Sequence, residues 1–103
     1  MNKIPKSFEL GGCTYTVEVT DNRPEGVKNT ITGEICYSSG TVNIYKNHVG
    51  YECTEDYKLL SFYHELVHGI LTSMGKGEMN DDEGFVESFA NFLHQFMKTV
   101  KYE

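Results

Sequence analysis

Basic residues are scarce in this sequence. Nine Lys and Arg stand against fifteen Asp and Glu, for a net charge of −6. That balance lacks the positive patch on which nucleic-acid binding rests, so no nucleic acid is expected as a partner. Long apolar runs are missing too. None approaches the roughly 20 residues needed to cross a bilayer, and no signal-peptide pattern opens the chain. The expected location is therefore cytoplasmic, with no membrane association. Cysteines are few and unpaired in pattern. Cys13, Cys36 and Cys53 are odd in number, widely spaced and without a CxxC pair. Neither a disulfide framework nor a zinc ribbon fits them, and reduced, mostly buried thiols are expected. Repeats, low-complexity tracts and linkers are absent as well. The 103 residues are expected to form one domain, 1–103, around a modest core.

What the sequence does contain divides into a strand half and a helix half. Ser7 to Leu10 predicts a short strand, and Gly11-Gly12 a hairpin turn. Cys13, Tyr15, Val17 and Val19 then alternate with Thr14, Thr16, Glu18 and Thr20, the period of a half-buried strand. Asp21 to Gly26 is turn chemistry. Ile31, Gly33, Ile35 and Tyr37 predict a third strand, and Thr41 to Tyr45 a fourth with Val42 and Ile44 inward. After a loop from Lys46 to Cys53, Thr54 caps a helix that runs to about Met74 and stops at Gly75. Asn80 and Glu83 form a capping-box pattern for a second helix reaching about Val100. Its apolar stripe is Phe85, Phe89, Phe92, Leu93, Phe96 and Val100. The expected fold is α+β: a small antiparallel meander of three to four strands followed by two packed helices.

The first helix carries His64-Glu65-Leu66-Val67-His68, an H-E-x-x-H motif. Residues four apart on a helix lie about 40° from each other, so His64 and His68 share a face one turn apart. Two imidazoles so placed can bind one metal ion. Glu65 falls about 60° from His68, beside the ligands, where a carboxylate can accept a proton from a water on the ion. Leu59, Leu60, Phe62, Leu66, Val67, Ile70 and Leu71 surround the motif, as in a buried helix. Polar groups inside such a helix need partners, and a shared ion supplies them.

Two histidines leave a zinc site incomplete, since catalytic sites usually have three protein ligands and an open position. A third histidine in an H-E-x-x-H-x-x-G-x-x-H pattern is ruled out, because Leu71 and Met74 occupy the required positions. A carboxylate from the second helix is the alternative. Glu87 is the preferred candidate, with Asn91 one turn on as a hydrogen-bond partner for a ligand histidine and small Ala90 allowing close helix approach. Glu83, His94 and Asp82 remain open from the pattern alone.

The H-E-x-x-H helix followed by Glu87-Ser88-Phe89-Ala90-Asn91-Phe92-Leu93 resembles the ImmA/IrrE-type metallopeptidases of bacteria, phages and mobile elements. That resemblance covers roughly the last half of the chain. It implies that His64, His68 and Glu87 bind Zn²⁺ and that Glu65 is the general base. It also implies a sheet beside the motif helix, with Thr41 to Tyr45 as the edge strand next to the cleft. The expected function is then zinc-dependent hydrolysis of peptide bonds in a peptide or protein substrate. Tyr45, His48, Tyr51 and Tyr63 are candidate donors to the oxyanion. The rival expectation is a metal-stabilised interaction module without turnover.

Overall fold

The structure, a computed structural model, describes residues 3–103. Six strands precede three helices: β1 Ser7–Leu10, β2 Cys13–Thr20, β3 Gly33–Cys36, β4 Thr41–Tyr45, β5 Asn47–His48, β6 Tyr51–Glu52, α1 Glu55–Ser73, α2 Gly77–Asp81 and α3 Glu83–Thr99. The α+β class holds, but the sheet is not an antiparallel meander. Its order is β1-β2-β4-β3. β2 and β4 run parallel, with Val17 opposite Val42 and Val19 opposite Ile44. β3 returns antiparallel on the far side of β4, with Ile35 opposite Val42. The third strand in sequence is thus the edge, and Thr41–Tyr45 lies inside the sheet rather than at its rim. Local alternation sets which face of a strand is buried but says nothing about its neighbours, so the parallel pairing carried no sequence signal.

The segment between β2 and β3 is held by one side chain. Arg23 donates to the carbonyl oxygens of Lys28 and Ile31, and its other amino group donates to that of Asn47 at 2.8 Å. Its guanidinium lies 4.5 Å above the Tyr45 ring centre. Gly11 and Gly12 take positive φ values of 57° and 82°, as the tight β1–β2 turn requires.

Helix α1 is sandwiched. One side packs on β1, β3 and β4, and the other on α3. That position explains why its apolar residues wrap most of its circumference. Leu59, Phe62, Tyr63, Val67 and Leu71 join Tyr15, Val42 and Ile44 of the sheet and Val86 and Ala90 of α3 in one core. Thr54 caps the helix as expected, accepting from the Tyr57 N–H at 3.1 Å. Gly75 follows the helix with φ +71°.

Four expectations change. The expected 76–79 loop is largely the short helix α2. The cap of α3 is Asp82, which accepts from the Phe85 N–H at 3.0 Å, and not Asn80. The phenylalanines of α3 are exposed, while Val86, Ala90 and His94 are buried. Only Cys53 of the three cysteines is buried. Among the described residues, no helix is long and apolar enough to cross a membrane.

Candidate metal centre

The H-E-x-x-H turn lies where α1 meets both β3 and α3. Helical spacing sets His64 and His68 side by side, with ring centroids 4.9 Å apart. The next helix brings carboxylates to both rings. Glu83, the first residue of α3, places its oxygens 2.8 Å from Nε2 of His68 and 3.5 Å from Nε2 of His64. Glu87, one turn further, lies 3.1 Å from Nδ1 of His64. Asn80 of α2 places Oδ1 2.6 Å from Nδ1 of His68. Its amide group is fixed in that sense because Nδ2 donates to Thr72 Oγ1 at 3.2 Å.

An oxygen lies near both nitrogens of each ring, hydrogen-bonded at Nδ1 and within ion-pair range at Nε2. A neutral imidazole carries only one N–H, so one contact per ring sets lone pair against lone pair. Two adjacent imidazoliums would repel each other. A divalent ion held by His64, His68 and Glu83 would remove the conflict, with Glu87 and Asn80 then left to accept from the Nδ1 protons. Ligand atoms of His64, His68 and Glu83 lie within 4.8 Å of one another, the span a shared ion needs. The residues present therefore fit a divalent metal of the kind that His₂Glu sets hold.

The other candidates fall elsewhere. Asp82 is engaged as the α3 cap. His94 lies further along α3, with Nε2 3.0 Å from Asp56 Oδ1. Asn91 donates to the Glu87 carbonyl of its own helix at 2.9 Å and not to a histidine. The side-chain amide that reaches a motif histidine is that of Asn80, on His68, and not that of Asn91.

Glu65 points from α1 into the cleft wall beneath β3 and is 8% exposed. Burial pushes its carboxyl up to about 7, partly offset by His64 and His68. Room for it comes from Gly33. A Cβ at that position would lie 3.2 Å from Glu65 Cγ and 3.3 Å from its Oε2. A cleft of about 590 Å³ opens in front, lined by Thr30–Ile35 on one side and by His64, Glu65, His68, Glu83 and Glu87 on the other. Tyr37 and Tyr57 also line it, whereas Tyr45, His48, Tyr51 and Tyr63 do not. The Tyr45 hydroxyl donates to Glu34 at 2.8 Å, and burial and that carboxylate hold its pKa up at about 12.

No family model, curated protein or solved structure matches this chain. The functional reading therefore rests on the site itself.

Sequence reasoning missed Asn80 and Gly33. Asn80 was assigned to a cap, and nothing in the pattern linked it to His68. Gly33 looked like one step in an alternating strand. Glu83 left a usable signal, since Glu83 and Glu87 are one turn apart and line one face of α3.

Proposed function

We propose that the protein is a metal-dependent peptidase that uses zinc, with His64, His68 and Glu83 as ligands and Glu65 as the general base. The observation that carries this reading is Glu83 standing beside both Nε2 atoms while Glu87 and Asn80 occupy the two Nδ1 atoms, an arrangement that a cation at Nε2 would resolve. When bound, the ion supplies Lewis-acid polarisation of the scissile carbonyl and acidifies a coordinated water. Glu65 takes the proton of the attacking water and delivers it to the leaving amine. Without the ion, burial holds its carboxyl at about 7, and a bound dication would draw it down toward the carboxylate that a base must be. Glu87 and Asn80 hold the two rings in the orientation that presents Nε2.

The β3 edge gives the cleft a second function. One side of Gly33–Cys36 pairs with β4, and no strand among the described residues pairs with the other. An extended peptide added along that edge by main-chain hydrogen bonds would lie across the face of α1 that carries the motif. This supports a short extended segment of a peptide or an exposed loop as the substrate.

Glu87, the ligand implied by the family resemblance, is the rival for the third position. Metal analysis of the native chain, Glu83→Gln and Glu87→Gln separates the two. One zinc per native chain is expected, lost in Glu83→Gln, with affinity weakened about 10- to 100-fold in Glu87→Gln, the usual effect of removing an orienting partner. The reverse pattern would make Glu87 the ligand, and a native chain that takes up no zinc would end the metal reading. The metal-stabilised binding module keeps the same ligands. A buried Glu65 facing the cleft weighs against it, because an ion held only for structure has no use for a base.

A further inference from the structure

We propose that the phenylalanine ridge of α3 is a self-association surface that pairs with the same ridge of a second copy of this chain. Four rings form it. Phe85, Phe89, Phe92 and Phe96 are 36%, 51%, 70% and 57% exposed, and the first two rings touch at 6.0 Å between centroids. They lie off the buried face, which consists of Val86, Ala90 and His94. An ordinary amphipathic helix would have turned these rings inward.

Spacing, charge and area identify the occupant. The intervals between the four rings are four, three and four residues. That is the a/d repeat of a coiled-coil seam, which keeps one line of side chains facing a partner helix. Such a line is complementary to itself about a two-fold axis, so an identical chain supplies its match. Two chains of net charge −6 repel each other in general. Here the strip is neutral. Beside the seam lie Ser88, Leu93, Gln95 and Thr99, while Glu83, Glu87 and Lys98 point to other sides of α3. A bilayer is the poorer match, since membrane-surface helices carry Lys and Arg on the polar face and this one carries two glutamates beside the cleft. At roughly 200 Å² per ring, the exposed parts amount to roughly 400 Å² per copy. Two copies then bury at most about 800 Å² of ring surface, plus flanking side chains, short of the roughly 1,200–2,000 Å² of stable interfaces and in the range of transient ones. A weak, reversible dimer follows, with the metal-site face of α3 left free.

Sedimentation equilibrium of the full chain, from about 1 μM to about 500 μM, reads the association directly. The native mass should climb from 11.7 kDa toward twice that value. Phe92→Glu, at the most exposed ring, should remain monomeric throughout with unchanged circular dichroism and melting. Tyr51→Glu, an exposed site away from α3, should dimerise like the native chain. A native chain that stays monomeric across the range overturns the proposal and leaves the ridge for a different protein. Dimerisation that survives Phe92→Glu overturns it as well, and so does a mass that grows past the dimer without limit. Flotation of the native chain with neutral phosphatidylcholine vesicles, lost in Phe92→Glu, would overturn it in favour of a lipid surface.

Discussion

Glu65 is the one buried carboxylate among the described residues, and two opposite consequences follow from its burial. For catalysis, Glu65→Gln should abolish peptide hydrolysis while leaving zinc content at one per chain, checked by a fluorogenic peptide assay alongside metal analysis. For stability the sign reverses. The folded carboxyl titrates at about 7 against 4.5 for an ordinary glutamate, so the metal-free protein loses stability as pH rises through that interval. In chelator-treated protein, Glu65→Gln should therefore melt higher than native at pH 8. The gap should reach on the order of 3 kcal/mol and close toward pH 4.5. Gly33 marks the limit of sequence reading at this scale. The spacing of His64 and His68 put their rings on one face, but the space beside Glu65 depends on a strand 32 residues away in sequence, and no local pattern encodes it. Gly33→Ala should displace the Glu65 carboxylate by a few tenths of an ångström, lowering turnover on the order of tenfold with metal content unchanged.

At the level of elements, α3 was found by pattern and misplaced by pattern. Its end near residue 100 was legible from the recurrent phenylalanines, but it starts at Glu83, later than the Asn80 capping-box pattern put it. Which face it buries was not legible, because the apolar stripe is the exposed one. Small Ala90 and slender Val86 permit close approach to α1, and a row of phenylalanines would hold the helices apart. The far end of α3 is tied to the start of α1 by polar contacts. Asp56 accepts from the His94 ring at 3.0 Å and from Lys98 at 3.4 Å. Lys98, with burial opposing and His94 assisting, holds the Asp56 carboxyl below its ordinary 3.8. A depressed carboxyl stabilises the fold above its unfolded pKa, and that contribution is lost as pH falls through the folded value. Asp56→Ala should lower the melting temperature at pH 7 and flatten the loss of stability below pH 4, read by melting across a pH series. It also leaves buried His94 without a partner on Nε2, as Nδ1 already is.

In the molecule as a whole, the strands were legible one by one and their assembly was not. β1, β2 and β4 begin and end where alternation and glycine turns put them. The parallel β2–β4 pair arises from the long excursion through residues 21–32, whose geometry depends on contacts made by Arg23 rather than on any period. Arg23→Ala removes charged donors from three carbonyls and should cost about 2 kcal/mol, read as a lower urea midpoint. A different kind of consequence comes from where the site residues fall along the chain. His64, His68, Asn80, Glu83 and Glu87 all belong to one helical hairpin. Helical hairpins close quickly because their contacts are local, while a parallel strand pair joins late. On the proposed ligand set, a refolding chain could take up an ion as soon as α1, α2 and α3 meet. Glu65 reaches its dry position only when β3 docks beside it. On that reading, loading of a metal would precede competence to cut, and a half-folded chain would hold an ion without the base in place to use it.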